Sequence, residues 1–217
     1  MPEQPAASPA PVAVLRQDKA KDRKSACWRG ARRQKRKSHA SARRLQSHDG
    51  IADMALIGNS VTGVRHWLFK SEPSAFSITD LRGRRQQTEH WDGVRNFQAR
   101  NFMRDEMRPG DLGFFYHSGC AEPAVVGTVE IVRSGYPDFT AFDPTHPHYD
   151  PKSMPQRPLW YMVDVRFGEE FRNPVTLREL KTHPALRGMR LLARGNRLSV
   201  MPVNQHEWDY ILRLAHR

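Results

Sequence analysis

The chain carries two cysteines in 217 residues, Cys27 and Cys120. Thiols so few and so far apart frame neither a disulfide scaffold nor a thiolate metal cluster, and a reducing compartment fits. No run of 18 or so apolar residues occurs, so nothing reads as membrane-spanning. No apolar segment of the signal-peptide kind follows the N-terminus, and secretion is not expected. The common catalytic signatures are missing as well. There is no G-x-S-x-G, no Walker A motif, no dinucleotide-binding glycine fingerprint and no H-E-x-x-H. No cysteine stands in a recognised nucleophile spacing with a histidine.

Positive charge is abundant but uneven. The formal net charge is +12, from 35 Lys and Arg against 23 Asp and Glu. Residues 1–65 hold 14 of the basic and 5 of the acidic residues, a net +9, which leaves +3 for residues 66–217. The length suits one ordinary domain with an appendage. Residues 1–60 form that appendage: rich in Ala and Pro at first, then in Arg, Lys and Ser, with R-R-Q-K-R-K at 32–37 and no apolar period, they read as a disordered basic tail. Three readings compete for it: an arm that tethers the domain to nucleic acid, a targeting segment, or an untranslated stretch ahead of a true start at Met54. The last is placed slightly ahead.

From residue 65 the pattern changes. R-H-W-L-F-K at 65–70 alternates like a strand, and Ser77 ahead of I-T-D-L predicts a capped short helix. A helix is expected over 97–107, a turn at Pro109–Asp111, and strands at L-G-F-F-Y-H (112–117), 124–132 and 158–167. Residues 134–158 read as a long loop, 176–192 as short helices, and R-L-S-V at 197–200 as a short strand. Asn204 with Glu207 three residues later predicts a capping box opening a last helix. Without regular βαβ alternation or repeats, the expected fold class is α+β, with a curved, mostly antiparallel sheet flanked by short helices.

The residues that could carry chemistry sit at element ends. K-S-E-P places Lys70, Ser71 and Glu72 at a strand exit before Pro73, which cannot extend a ladder. Alone, this is an ordinary strand end with a solvated Lys–Glu pair. In W-D-G-V-R-N-F-Q-A-R-N (91–101), Gly93 allows a close backbone approach and Asn96 suits an N-cap. The Arg95 fork fits either a phosphate, a base edge or a structural carboxylate. In F-F-Y-H-S (114–118), Phe114 and Tyr116 share one face, Phe115 and His117 the other, and Ser118 ends the strand. Trp160 and Tyr161 read as core. H-P-H-Y-D at 146–150 offers three potential ligands in a loop but no spacing that converges them, so no metal is expected.

Taken together, W-L-F-K-S-E-P (67–73), W-D-G-V-R-N-F-Q-A-R-N, F-F-Y-H-S, V-V-G-T-V-E-I-V (125–132), P-L-W-Y-M-V-D-V (158–165) and R-L-S-V-M-P-V (197–203) resemble, in order and spacing, the EVE domain. The resemblance covers roughly 65–214. Phe97 departs from a common Tyr of that family, and Ala124 from a common Gly. The EVE domain belongs to the PUA-like superfamily, related to YTH and ASCH domains. The resemblance implies a PUA-like pseudo-barrel and a non-catalytic reader that holds a modified cytosine or adenine of DNA or RNA in an aromatic and polar pocket. On that reading Ser71, Glu72, Asn96 and Ser118 face the base edge, Trp67, Trp91, Tyr116 and Trp160 form walls, and Lys70, Arg95, Arg100 and Arg197 hold phosphates. No cofactor, no metal and no membrane are implied; a monomer is expected, and an effector would be a separate protein. A bacterial source would place it in the cytoplasm, a eukaryotic one with a genuine basic tail in the nucleus. The rival is an ASCH-like amidohydrolase acting on a modified nucleoside through Lys70 and Glu72; a protein-interaction module built on the 134–158 loop is a weaker one.

Overall fold

A computed structural model describes residues 63–217, so the expectations for the basic tail and for Met54 lie outside the described residues. Six strands form one sheet: β1 (His66–Ser71), β2 (Thr88–Trp91), β3 (Leu112–His117), β4 (Ala124–Pro137), β5 (Tyr161–Thr176) and β6 (Val200–Val203). Their spatial order is β2–β5–β4–β3–β1–β6. Four of the five pairings are antiparallel, and only β1 and β3 run parallel. Register shifts at five points along β3–β4 and β4–β5 bend the two long strands. The sheet curls but stays open, with β2 and β6 as its edges.

The side-chain alternation expected at residues 114–117 decides how the faces are used. Phe114 and Tyr116 enter one core with Leu68, Val175, Trp208 and Ile211, whereas Phe115 enters the other with Trp67, Phe69, Trp91, Met103 and Ile131. Each face is covered by helices. α4 (Gln205–Ala215) lies on the first, with Trp208 stacked on Phe114 at 4.1 Å between ring centroids. α1 (Ile78–Gly83) and α2 (Phe97–Asn101) supply Ile78, Leu81 and Ala99 to the second. α3 (Leu177–Thr182) follows β5 directly.

The caps form where the side chains predict them. Ser77 and Asn204 build capping boxes with Asp80 and Glu207, and the side-chain Oδ1 of Asn96 accepts from the Gln98 and Ala99 amides. Several details depart from expectation. β4 runs on to Pro137, into the stretch expected as a loop, and β5 begins at Tyr161 and continues to Thr176, well past residue 167. The 97–107 helix is one α-turn followed by a π-type turn at Phe102–Glu106, closed by Met107 N–H donating to the Phe102 carbonyl. The short strand expected at 197–200 begins at Val200, and β2 was not anticipated. Among the described residues no helix is long and apolar enough to cross a membrane.

Candidate nucleic-acid interface

Parallel pairing of β1 with β3 carries two polar strand exits to the same end of the sheet. Lys70 lies opposite Tyr116 and Ser71 opposite His117. Ser118 N–H then donates to the Ser71 carbonyl at 2.8 Å, and Lys70 N–H to the Ser199 carbonyl at 2.8 Å. The second bond brings the chain just after Arg197 beside Lys70. Lys70 is half-buried, and burial lowers its ammonium below the ordinary lysine range. Among the described residues it forms no ion pair. Glu72, also half-buried, packs against Gly119, which has a φ of +66° and where a Cβ would stand 2.8 Å from the Glu72 carboxylate. Arg197 is exposed. Lys70, Glu72, Ser118 and Arg197 thus gather at one sheet end.

The Ser71 hydroxyl is committed elsewhere: it is fully buried and donates to the Phe76 carbonyl at 2.7 Å, closing the turn into α1. His117 does similar work, its Nε2 accepting from Ile78 N–H at 3.2 Å, and burial holds its imidazole below the usual range. Of the four expected pocket walls, three lie inside the cores. Trp67 donates its indole N–H to Asp111 at 3.0 Å. Trp91 packs edge-on to Phe69 and Phe115. Tyr116 is buried, which pushes its phenol up to about 12.

A second group forms where β2 leads into α2. The Arg95 guanidinium donates to the buried Asp138 carboxylate at 2.7 Å and to the His148 carbonyl, and its carbon lies 5.3 Å from the centroid of the Trp160 ring. Asp138 also accepts from Gly93 N–H at 3.2 Å and from the Thr140 amide and hydroxyl. Burial alone would raise its carboxyl; Arg95, Thr140 and Gly93 more than offset that and hold it below the usual range. Arg95 and Asn96 are therefore structural in this arrangement: a carboxylate partner for the first, a helix cap for the second. Gly93 has a φ of +70°, and a Cβ there would stand 2.4 Å from the His148 ring, so glycine is required twice over.

Trp160 donates its indole N–H to Asp150 at 2.7 Å and stacks on Phe97, with centroids 4.9 Å apart and planes at 24°. Phe97 is 57 % exposed. The Arg100 guanidinium lies 5.0 Å from the Phe97 ring centroid and donates to the Leu159 carbonyl at 2.6 Å. Arg104 lies over Tyr161 while its guanidinium is held in two hydrogen bonds by Asp105, and Arg190 lies over Phe102. An exposed ring backed by a buried one and flanked by guanidinium groups is a stacking platform with cationic rims. The sequence does not single out Phe97, because an aromatic inside an expected helix is ordinarily a packing residue; its place at the first turn, just after the Asn96 cap, is the available signal. A separate pocket of about 310 Å³ opens at the other end of β1, lined by Arg65, His66, Trp67, Glu106 and Gln205 among others. Trp67 is the only expected site residue in it.

Known proteins share this architecture. Thymocyte nuclear protein 1 of Homo sapiens is 45 % identical over 169 residues, covering 70 % of this chain and 74 % of that one. Among solved structures, human THYN1 in complex with 5-methylcytosine-containing DNA is 44 % identical with a TM-score of 0.67, covering 70 % of this chain and 98 % of that one. A hypothetical protein from Leishmania major is 47 % identical with a TM-score of 0.67, covering 71 % and 96 %. The family model of the EVE domain matches residues 65–214. On a family match of that extent and relatives of that identity, the chain belongs to the EVE domain family.

Proposed function

We propose that this protein is a non-catalytic reader of DNA carrying a modified cytosine. The observation that carries the reading is the solved complex of a 44 % identical protein with DNA containing 5-methylcytosine. The geometry of this chain gives the reading a physical form. Phe97, supported by Trp160, stacks against a base; Arg100, beside that ring, neutralises a phosphate. Lys70, Glu72, Ser118 and Arg197 supply the polar groups of the sheet end. Ser71, Asn96 and Arg95 act indirectly, by fixing the turn, the helix start and the loop around Trp160.

The test is Phe97→Ala, read by fluorescence anisotropy with a methylated oligonucleotide at fixed salt. An aromatic–base stack contributes ~1–3 kcal/mol, so affinity should fall about 5- to 150-fold. Stability should fall by only about 1 kcal/mol, because the ring is largely exposed and gives up chiefly its stack on Trp160. Unchanged affinity would remove Phe97 from the interface. A strand of RNA bearing the same modified base is the comparison arm. Turnover of an N4-acylated cytidine, lost in Lys70→Ala, would replace the reader by the amidohydrolase reading.

A further inference from the structure

We propose that Asp92, His146 and His148 form a binding site for a divalent transition-metal ion of the kind that takes imidazole and carboxylate ligands, zinc foremost. Each residue offers one ligand atom, and these atoms all lie within 4.8 Å of one another. In a tetrahedral zinc site with ligands at ~2.0–2.2 Å, donor atoms stand roughly 3.3–3.6 Å apart, so the set closes on an ion with small side-chain movements. The Asp92–His148 edge already has that spacing, with Oδ2 3.3 Å from Nδ1.

A second feature points to a ligand. Asp92 is 0 % exposed, and its Oδ1 has no hydrogen-bond partner. A fully buried carboxylate oxygen without a donor is costly, and the His148 contact, made through Oδ2, does not relieve it. A dication whose coordination Oδ1 shares does.

The loop is built to hold its two imidazoles in place. Asp143 accepts from the Thr145 amide and hydroxyl, and its carbonyl accepts from His146 N–H at 3.0 Å. His148 N–H then donates to His146 Nδ1 at 3.2 Å, and Tyr149 N–H to the His146 carbonyl at 3.0 Å. Farther along, Asp150 N–H bonds the Ala141 carbonyl. The two rings stand 5.1 Å apart between centroids. His148 is pressed against Gly93, immediately after Asp92, where any side chain would displace it. His146 is only half-buried, which gives an ion a route in from solvent. The histidine-rich loop alone does not converge, as its spacing indicates; the ligand that completes the set comes from the exit of β2, 56 residues from His148. Coordination uses both imidazoles in their neutral form. Three protein ligands leave the fourth position to water. The ion would pin the 138–150 loop to β2. This inference does not depend on the base-reading proposal.

The experiment is a titration of chelator-treated full-length protein with Co²⁺, followed by visible absorption, then displacement by Zn²⁺. The expected result is saturation at one ion per chain, with the bands of a four-coordinate cobalt site that zinc abolishes. Losing an outer partner of a ligand already costs 10–100-fold in metal affinity, so losing a ligand should cost at least about tenfold. His146→Ala and Asp92→Asn should therefore both bind at least about tenfold more weakly. His183→Ala, whose ring instead bonds Tyr210, should bind as the parent does. His146 is half-buried where Asp92 is fully buried, so its variant should fold even if Asp92→Asn does not. No saturable binding by the parent chain, or equal binding by His146→Ala, would overturn the proposal.

Discussion

Asp138→Ala should lower the unfolding free energy by about 3 kcal/mol or more, measured by urea denaturation. The carboxylate is 0 % exposed and accepts four hydrogen bonds, from Gly93 and Arg95 on one oxygen and from the Thr140 amide and hydroxyl on the other. Breaking a buried pair by removing one partner typically costs ~3–5 kcal/mol, because the other charge and its donors are left behind. Arg95 keeps some solvent contact and the His148 carbonyl, which places the loss at the lower end. Asp138→Asn, which preserves part of the acceptor set, should lose less. A loss below about 1 kcal/mol for the alanine variant would mean that Asp138 is not the anchor of the 138–160 loop. The pH dependence follows in sign. Since the folded state holds this carboxyl below its usual value, its stabilisation is present above the ordinary carboxylate range and disappears as pH falls through the lower folded value.

Trp91→Ala should cost about 3–5 kcal/mol, the usual loss for a large aromatic removed from a core. The ring is 0 % exposed and meets Phe69 at 5.1 Å, Phe115 at 5.4 Å and Phe76 at 6.5 Å. Its indole N–H has no hydrogen-bond partner, so the polar atom contributes nothing favourable where it lies. Trp91→Phe keeps most of the apolar contact and removes that donor, and should lose less than about 1.5 kcal/mol. The contrast matters for function. A Trp91→Ala variant that bound DNA poorly would be reporting a damaged core, whereas Phe97→Ala alters the surface. An alanine variant as stable as the parent but unable to bind would instead assign Trp91 to a pocket wall.

Local chemistry made much of the fold legible. Ser77, Asn96 and Asn204 announce helix starts because an N-cap needs only a side-chain acceptor two or three residues upstream of its amides. Strand alternation assigned Phe114 and Tyr116 to one core and Phe115 to the other because the period of a strand is two. Pairings distant in sequence were not legible. β2 is four residues long, three of them polar or half-buried, and lacks an apolar signal. The parallel partnership of β1 with β3, which joins the two polar strand exits, is a matter of topology. The same limit governs the site. Arg95 presents the same fork whether it meets a phosphate or a carboxylate; Asp138, 43 residues away, decides for the carboxylate. The aromatic residues drew attention as walls by type, yet burial puts Trp67, Trp91 and Tyr116 inside and leaves Phe97 outside.

The most direct test of the reader assignment is a competition titration with two DNA strands that differ by a single cytosine methyl group. Burying one methyl group contributes ~0.8 kcal/mol, so the methylated strand should bind about fourfold more tightly. Equal affinity for the two strands, with binding to both, would contradict a modified-base reader and leave a general DNA-binding surface in its place.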